Sequence, residues 1–331
     1  MELVKDIPVE EALKENFTFV DVRTKEEFEE FHIPGAVNVP LFTKEEREKV
    51  SKVYYEKGEK EARIFALKVA GPKLYDIVNE IKKVKEKNRN VVIYCWRGGM
   101  RSLAVATICS LVGVPVRRLE GGYRAFRKYI LRRIEELVKS KKFVILYGPT
   151  GVGKTRILRK LKKEGYPVID LEGLAGHRGS VFGGIGLKQP SQKMFDAFLW
   201  LELESLKGMP YIIVEGESKK IGRIFLPDTF FKAMTSGYKI NLTMPLEERI
   251  RISLEDYKVG EFSKDIYLKS LERIRKILGE EKYNLIKDLI MKESYEEVVK
   301  ELIVNYYDKL YNRSTPETDY RIEANNLDDA L

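Results

Sequence analysis

The segment "FVILYGPTGVGKT", residues 143–155, gives the clearest indication of the fold of the C-terminal part of this chain. An apolar run predicts a buried strand, a glycine-rich turn follows at once, and a helix is predicted to begin at Lys154. Glycines let backbone N–H groups turn inward around phosphate oxygens, and the helix N-terminus attracts negative charge. The segment therefore predicts a phosphate-binding loop. Its expected ligands are Gly148, Gly151, Gly153, Lys154 and Thr155, with Thr155 holding Mg²⁺ if the ligand brings one.

Further strands are predicted after this loop, at 166–171, 211–217 and 239–244. They alternate with helical segments, a pattern typical of a parallel α/β domain. After the last of them the pattern becomes helical, and the final residues have the composition of a loosely ordered tail. We therefore predict a P-loop NTPase-like α/β domain over 143–244 and a helical C-terminal region over 245–331.

Acidic residues follow two of these strands, where a parallel sheet collects its functional side chains. Asp170 and Glu172 follow the first strand, and Glu215 and Glu217 close the second. None of them is a plain Walker B aspartate, so phosphate binding is predicted more firmly than nucleotide hydrolysis. The candidate carboxylates are Asp170, Glu215 and Glu217.

The segment 173–186 is rich in glycine and contains His177, one of two histidines in the chain. A long glycine-rich loop is uncommon inside a compact domain unless it binds a ligand. We expect His177, Arg178 and Ser180 to face an anionic substrate near the phosphate loop. A solvated surface loop is the alternative.

The N-terminal part also alternates short strands with amphipathic helices. Strands are predicted at 17–23, 91–95 and 116–123, and the continuous apolar run of the second is typical of a strand covered on both faces. This predicts a second parallel α/β domain over 1–128. A basic amphipathic helix follows it, which makes 129–142 a predicted connector.

Cys95 ends one of these strands in "VVIYCWRGGMRS", residues 91–102. The glycine turn that follows would direct backbone amides at the sulfur, and the flanking arginines add positive charge. Both favour a thiolate, which can attack sulfur, selenium or phosphorus. A packed core cysteine is the alternative here, and it is our prediction for Cys109, which lies in an apolar helix. The expected anion-binding residues of the loop are Arg97, Gly98, Gly99 and Arg101.

The chain has 60 Lys and Arg against 51 Asp and Glu, a net charge of +9. This favours an anionic partner such as RNA or a polyphosphate, although a generally basic protein would look the same. Two cysteines without metal-binding spacing exclude a disulfide scaffold and favour a reducing cytosol. No apolar stretch is long enough for a membrane span, and no signal peptide is visible. The arginines expected to contact nucleic acid are Arg117, Arg118, Arg124, Arg127, Arg132 and Arg133.

Several of these segments resemble known families. "FVDVR" (19–23), "HIPGAVNVP" (32–40), "CWRGGMRS" (95–102) and "LEGGYRAF" (119–126) resemble the successive signatures of a rhodanese domain. Together with the phosphate loop, nearly the whole chain resembles the bacterial tRNA 2-selenouridine synthases. The blocks that carry this wider resemblance are "HRGSVFGG" (177–184), "QPSQKMF" (189–195) and "EGESKKIG" (215–222).

The resemblance implies conversion of wobble 2-thiouridine to 2-selenouridine in the tRNAs for lysine, glutamate and glutamine. It implies selenophosphate as donor and an S-geranyl intermediate made from geranyl diphosphate, with no tightly bound cofactor. Cys95 would hold selenium as an S-selanyl adduct, and His32 would support the fold. The phosphate loop would hold either geranyl diphosphate or a nucleotide, with Mg²⁺ as a companion ion, and the sequence leaves that choice open. The implied partners are tRNA and a selenophosphate-supplying enzyme, in the cytoplasm.

Two other functions remain open at this stage. The loop from Cys95 to Arg101 has seven residues, as in the dual-specificity cell-cycle phosphatases of rhodanese fold, whereas sulfurtransferases of this fold commonly have six. A wider ring fits a tetrahedral oxyanion, which could be phosphate or selenophosphate. A rhodanese-fold phosphatase or sulfurtransferase is therefore one alternative. A nucleotide-dependent RNA-binding adaptor is the other.

Overall fold

The computed structural model describes residues 4–88, 90–314 and 316–331. The chain forms two compact units: Met1–Arg133 with Asp196–Trp200, and Ile134–Phe195 with Leu201–Leu331. Each unit is built on a parallel sheet with helices, which confirms the predicted α/β class.

The described residues of the first unit form a parallel five-stranded sheet in the order β1-β5-β4-β2-β3. Its strands are β1 (Lys5–Ile7), β2 (Thr18–Asp21), β3 (Val37–Asn38), β4 (Val91–Tyr94) and β5 (Arg117–Leu119). All four residues of the central strand β4 are buried, as expected when helices cover both faces. The loop after β4 therefore starts from a fixed position at the middle of the sheet.

The helices of the first unit include one long element that the sequence patterns do not predict. It is α3, which is kinked at Gly58, where φ is 85° and ψ is 178°. The shorter α2 begins with a capping box, in which Thr24 and Glu27 satisfy each other's backbone N–H groups. The helices that begin in this unit are α1 (Val9–Lys14), α2 (Lys25–Glu30), α3 (Lys44–Ala70), α4 (Leu74–Lys87), α5 (Met100–Leu111) and α6 (Gly122–Lys139), with a 3₁₀ turn at Gly71–Lys73. The residues of α6 from Ile134 onward belong to the second unit.

The predicted connector at 129–142 lies mostly in α6 and has no helix boundary at its start. The helix begins at Gly122, and it is amphipathic, with Phe126, Ile130 and Ile134 fully buried. Four of the arginines expected to contact nucleic acid also lie on this helix: Arg124, Arg127, Arg132 and Arg133.

The described residues of the second unit form another parallel five-stranded sheet, in the order β12-β11-β6-β8-β7, and a short antiparallel hairpin. The sheet places the ends of β6 and β8 side by side, because Leu146 is paired with Glu215. The strands are β6 (Lys142–Tyr147), β7 (Val168–Ile169), β8 (Tyr211–Glu215), β9 (Lys220–Ile221), β10 (Ile224–Phe225), β11 (Tyr238–Thr243) and β12 (Tyr320–Glu323).

The tail is not loosely ordered, as its composition suggests. Residues 320–323 form the edge strand β12, which pairs in parallel with β11 from Ile240 to Thr243. The prediction was wrong because the strand gains its hydrogen bonds from a partner about 80 positions earlier in the chain, and local composition does not reveal such a partner.

The remaining helices of the second unit surround its sheet and form the helical C-terminal region. The late helices share their own apolar core, which includes Leu271, Ile286 and Leu302. The helices are α7 (Lys154–Lys163), α8 (Leu171–Ala175), α9 (Gln192–Ser205), α10 (Asp228–Thr235), α11 (Leu246–Asp256), α12 (Lys264–Glu272), α13 (Arg275–Leu278), α14 (Glu280–Met291), α15 (Tyr295–Leu302) and α16 (Asp308–Ser314), with a π-helical turn at Ile303–Tyr307. Among the described residues, no helix is long and apolar enough to cross a membrane.

Candidate functional site

Cys95 lies directly after β4, at the C-terminal end of the first sheet. Its side chain is 3% exposed, and its sulfur lies 3.3 Å from the hydroxyl oxygen of Ser102 in the first turn of α5. The Ser102 hydroxyl in turn donates a hydrogen bond to the carbonyl oxygen of Gly99 (3.1 Å). The sulfur therefore sits where the unpaired N–H groups of a twelve-residue helix begin.

The backbone of the cysteine loop is braced by a second glycine turn. The N–H of Tyr123 donates to the carbonyl oxygen of Cys95 (2.9 Å), and the N–H of Arg124 donates to that of Trp96 (3.0 Å). A Cβ at Gly122, where φ is +58°, would lie 2.3 Å from the Cys95 oxygen and 2.4 Å from the Gly98 nitrogen. Only glycine allows this close approach, so "LEGGYRAF" fixes the shape of the loop that carries the thiol.

The two arginines of the cysteine loop lie in different environments. Arg97 is exposed. Arg101 is half-buried and makes an ion pair with Glu27 at 2.7 Å. Burial alone would raise the pKa of the Glu27 carboxyl, but the hydrogen bond and the charge of Arg101 outweigh burial and lower that pKa. Much of the positive charge expected at this loop is therefore already balanced at Arg101.

A buried ion pair supports the sheet beside the loop. The Arg23 guanidinium is fully buried, donates to both carboxylate oxygens of Asp21 and to the carbonyl oxygen of Phe31, and lies 4.6 Å from the centre of the Phe31 ring. The His32 ring stacks on Phe28 with centroids 4.1 Å apart, and its Nδ1 lies 2.8 Å from the Phe28 carbonyl oxygen. These contacts hold the His32 ring against α2, as expected of a residue that supports the fold.

The phosphate loop occupies the corresponding position in the second unit, between β6 and α7. Gly151 and Gly153 have φ values of +88° and +74°, which glycine adopts without strain. The Lys154 ammonium donates to the carbonyl oxygen of Gly148 (2.6 Å). Burial lowers the pKa of Lys154, whereas the negative charges of Glu217 and Glu172 oppose that shift.

Helix α11 packs against the outer side of the phosphate loop. The Arg249 guanidinium donates to the carbonyl oxygen of Thr150 (2.9 Å) and forms a bidentate pair with Asp308 (3.0 and 2.5 Å). A Cβ at Gly151 would lie 2.4 Å from the Arg249 carbonyl oxygen and 2.7 Å from the Ser253 hydroxyl oxygen. The helical C-terminal region therefore fixes the loop as well as covering it.

Glutamates converge beside the phosphate loop. The Thr155 hydroxyl donates to Glu172 (2.8 Å), and the N–H of Glu172 donates to Glu215 (2.7 Å). Glu215 is fully buried, and its second oxygen has no hydrogen-bond partner among the described residues. A Cβ at Gly179 would lie 2.8 Å from both Glu217 oxygens and 2.9 Å from a Glu172 oxygen, so these carboxylates share one small space.

This environment changes the acidity of the glutamates. Burial, helped by the charge of Glu172, raises the pKa of Glu217 to about 8. Burial also raises the pKa of Glu215 well above its ordinary value and raises that of Glu172. Asp170 is different, because it caps α8 by accepting from the N–H of Gly173 (2.7 Å) and pairs with Arg159 (2.7 Å). Of the candidate carboxylates, the structure brings Glu215 and Glu217 to the loop, together with Glu172, and uses Asp170 to hold a helix.

The described residues include no group of three or more His, Cys, Asp or Glu side chains that could hold a metal ion. The Thr155 hydroxyl, expected as a Mg²⁺ ligand, instead donates to Glu172.

The glycine-rich segment 173–186 uses its polar side chains mainly to hold its own shape. Arg178 donates to the carbonyl oxygen of Ile185 (2.9 Å) and lies 5.3 Å from the centre of the Tyr257 ring. Ser180 accepts a hydrogen bond from the Tyr257 hydroxyl (2.8 Å). Burial, followed by the charge of Arg178, lowers the pKa of His177, and its buried Nδ1 has no partner among the described residues.

An apolar cavity touches the phosphate loop at Thr150. Its volume is about 50 Å³, measured with a water-sized sphere, and it opens into a wider space of about 590 Å³ that includes solvent. Phe182 and Ile185 of the glycine-rich segment form one wall, and aliphatic residues of α14 and α15 form another. The aromatic side chains that line it are Phe182, Tyr257, Tyr267, Tyr295 and Tyr307.

The arginines expected to contact nucleic acid are only partly available. Arg118 makes a bidentate pair with Asp6 (2.7 and 2.6 Å), and Arg127 pairs with Asp196 (2.8 Å) within the first unit. The structure places Arg117 and Arg133 in half-buried positions and exposes Arg124 and Arg132.

Both units match known domain families. Residues 141–330 match the tRNA 2-selenouridine synthase AAA domain, and residues 8–129 match the rhodanese-like domain. The chain belongs to the tRNA 2-selenouridine synthase family. Curated members of this family are similar along nearly the whole chain. The enzyme from Hydrogenovibrio crunogenus is 32% identical, and the match covers 97% of this chain and 96% of the relative. The enzyme from Sulfurovum sp. is 33% identical, with 94% of this chain and 90% of the relative covered. The enzyme from Bdellovibrio bacteriovorus is 37% identical, with 77% of this chain and 68% of the relative covered.

Some residues of the two sites were not predicted from the sequence of this family member. Glu27 is recognisable as part of a capping box, but nothing local indicates that it pairs with Arg101, 74 positions later. Arg249 and Ser253 lie about 100 positions after the loop that they contact. Apart from Phe182, which belongs to the glycine-rich segment, the aromatic residues of the cavity come from a helical region whose pattern indicates only a core.

Proposed function

We propose that this chain converts 2-thiouridine at the tRNA wobble position to 2-selenouridine, through an S-geranyl intermediate made at the phosphate loop. Support for the overall reaction comes from its family, whose curated members are named tRNA 2-selenouridine synthase. The observation that carries the geranyl step is the shared wall at Thr150, where a loop suited to diphosphate meets an apolar, aromatic-lined cavity.

An allylic diphosphate matches this arrangement better than a nucleotide does. A purine needs hydrogen-bond partners for its ring edges, whereas most of the cavity lining is aliphatic and aromatic. The Tyr257 hydroxyl, one of its polar groups, already donates to Ser180, while the hydroxyls of Ser253 and Tyr307 have no hydrogen-bond partner among the described residues. A branched C10 chain needs no polar partner and gains about 0.8 kcal/mol for each buried methylene.

The first step transfers geranyl from diphosphate to the uridine sulfur. The sulfur attacks C1 of the geranyl group, the C1–O bond breaks with its electron pair leaving on diphosphate, and the N3 proton of the base is released. Lys154 and the loop amides would stabilise the departing charge. Aromatic rings would stabilise positive charge that develops on the allylic carbon.

The glutamates beside the phosphate loop influence how a diphosphate binds for geranyl transfer. The pKa of Glu217, raised to about 8, keeps a proton on that carboxyl near neutral pH, and burial also favours the neutral form of Glu215, which limits their repulsion of a diphosphate. If a divalent cation arrives with the diphosphate, Thr155 and Glu172 are the side chains that would contact it. The cation would add positive charge at the leaving group.

The second step replaces sulfur by selenium at the cysteine loop. Selenophosphate and water convert the S-geranyl base to 2-selenouridine, geranyl thiol and phosphate: the C2–S and Se–P bonds break, and C2–Se and P–O bonds form. The three protons of hydrogen selenophosphate and water end on N3, the thiol and phosphate. Cys95 would attack the phosphorus of selenophosphate, so that the Se–P bond breaks and hydrogen selenide is released to attack C2 of the base. Water then breaks the S–P bond to give phosphate, with the amides of the loop around the donor.

Transfer RNA is the proposed partner of this positively charged chain. A net charge of +9 suits tRNA, and Arg124 and Arg132 are the exposed arginines best placed to contact its phosphates. The wobble uridine of the lysine, glutamate and glutamine tRNAs is the proposed target, in the cytoplasm, with selenophosphate supplied by a separate enzyme.

The test is mass spectrometry of nucleosides from 2-thiouridine-containing tRNA incubated with the chain, geranyl diphosphate and selenophosphate. We expect 2-selenouridine, and S-geranyl-2-thiouridine when selenophosphate is omitted. A parallel titration should show geranyl diphosphate binding at least about tenfold more tightly than inorganic diphosphate, because the chain enters the cavity. Tight ATP binding with no preference for the geranyl compound would contradict the donor assignment. Release of phosphate from an aryl phosphate that needs Cys95 and no tRNA would favour the phosphatase.

A further inference from the structure

The first unit contains an apolar groove that the chemistry above leaves unused. It lies between α3 and α5 and has a volume of about 370 Å³. Small side chains border it: Ala62, Ala66 and Ala70 of α3, and Ala104 of α5. Residues four apart share one face of a helix, so the three alanines of α3 form a continuous strip. We call this the alanine groove.

Larger apolar side chains stand around the alanine groove and are unusually open to solvent. Leu67 is 65% exposed, Tyr54 is 51% exposed and Met100 is 50% exposed. Grouped apolar exposure of this kind marks a binding surface more often than scattered single residues do.

The charged side chains at the groove are already paired. Arg63 pairs with Glu59 at 2.5 Å, and Arg101 pairs with Glu27 at 2.7 Å. A polar occupant would have to break these pairs to gain partners of its own. The groove therefore suits an apolar occupant.

The alanine groove is continuous with the cysteine loop. Met100 and Arg101 line the groove, and they are also the last two residues of the loop that begins at Cys95. The next residue, Ser102, has its hydroxyl oxygen 3.3 Å from the Cys95 sulfur. A group held in the groove next to Met100 is thus beside the loop that carries the nucleophile.

We propose that the alanine groove binds the geranyl chain of the S-geranyl uridine while selenium is transferred at the cysteine loop. The inference rests on the proposed function, which places an apolar C10 thioether on the reacting base. When the C2–S bond breaks, that chain leaves as geranyl thiol, so it lies next to the reacting carbon throughout the step. Binding the chain would orient the base and would distinguish geranylated tRNA from its 2-thiouridine precursor.

The test uses the full chain, selenophosphate and two anticodon stem-loop RNAs, one with S-geranyl-2-thiouridine and one with S-methyl-2-thiouridine. The measured quantity is the ratio of kcat/KM for the two RNAs. Leu67→Glu places a charge in the groove at an exposed position, and Ala66→Trp fills it. Ile64→Glu is the matched control, because Ile64 is also an exposed aliphatic residue of α3 (57%) but does not line the groove.

The wild-type chain should prefer the geranyl RNA by at least about tenfold, as expected when roughly two methylenes' worth of chain is buried. Leu67→Glu and Ala66→Trp should bring the ratio close to one, leaving the methyl RNA rate unchanged, while Ile64→Glu keeps the preference. A wild-type preference that both groove variants retain would overturn the inference. Equal losses on both RNAs would also overturn it, and would indicate that the groove holds protein or RNA. If the wild-type chain converts the methyl RNA but never the geranyl RNA, the proposed function itself fails.

Discussion

The cysteine loop and the phosphate loop are two versions of one backbone arrangement. Each follows the central strand of a parallel five-stranded sheet, includes at least one glycine with positive φ and opens a helix. Their side chains differ. In the cysteine loop, Arg101 is paired with Glu27, and the Cys95 sulfur lies against the Ser102 hydroxyl. In the phosphate loop, the half-buried Lys154 interacts with the negative charges of neighbouring glutamates.

This difference indicates what each loop does with an anion. We propose that the cysteine loop, whose thiol lies at the start of a helix, binds an anion that reacts with the thiol. We propose that the phosphate loop, which offers the Lys154 cation, binds an anion that is the leaving group. The comparison predicts that the two steps of the reaction can be removed separately.

The largest expected effect is on the cysteine loop. Cys95→Ala should lower selenium transfer by at least about 10³-fold, because the nucleophile that breaks the Se–P bond is lost. Geranyl transfer, measured without selenophosphate, should stay at the wild-type rate. Cys109→Ala is the matched control: burial raises the pKa of the Cys109 thiol to about 11, so it is unreactive, and its loss should leave both steps intact. Selenium transfer that survives in Cys95→Ala would remove the nucleophile from the scheme.

The reciprocal change is Lys154→Ala. It should lower geranyl transfer by about 10²–10³-fold, because a charge that stabilises the departing diphosphate is removed. The same variant should convert pre-geranylated RNA with selenophosphate at the wild-type rate. Lys163→Ala, an exposed lysine of the same helix, is the control. Equal loss of both steps in Lys154→Ala would mean that the two loops do not act independently.

A smaller effect is expected when the brace of the cysteine loop is disturbed. Gly122→Ala places a Cβ 2.3 Å from the Cys95 carbonyl oxygen in a left-handed conformation, and should lower the free energy of unfolding by about 1–3 kcal/mol. Gly71→Ala is the comparison, because Gly71 has helical φ and ψ and a Cβ there would meet no atom within 4 Å. Urea denaturation followed by circular dichroism measures both. A stable Gly122→Ala would show that the loop relaxes around the new methyl group.

The two loops themselves are the part of the fold that the sequence predicts best. A strand, a glycine turn and a helix lie within about a dozen residues at both sites, so their hydrogen bonds are local. In contrast, no local sequence pattern predicts helix α3. Lys and Glu dominate it, its apolar residues form no strong stripe, and Gly58 interrupts it. Because the alanine groove is built on this helix, the sequence patterns do not reveal it.

Long-range partners explain the other differences. Asp170 and Glu217 both follow strands and look equivalent in the sequence. Asp170 is bound to Arg159 and to the first turn of α8, whereas Glu217 enters the space beside Lys154. Which carboxylate reaches the phosphate loop depends on the path of the chain after each strand, and that path is fixed by packing rather than by residue type.

The smallest expected effect concerns these carboxylates and pH. The pKa of Glu217 is about 8 in the folded chain against 4.5 for an unperturbed glutamate, so the folded state binds more protons between these values. Stability should therefore fall as pH rises from 4.5 to about 8, by at most about 1.4 kcal/mol per pH unit, and level off above that. Glu217→Gln should flatten this slope, whereas the exposed Glu247→Gln should not. Urea midpoints measured across this range test the idea, because an unchanged slope in Glu217→Gln would mean that Glu217 is ionised throughout. In that case the charge of Glu217 would add to the repulsion of a diphosphate, and Lys154 together with any cation bound with the diphosphate would have to offset it.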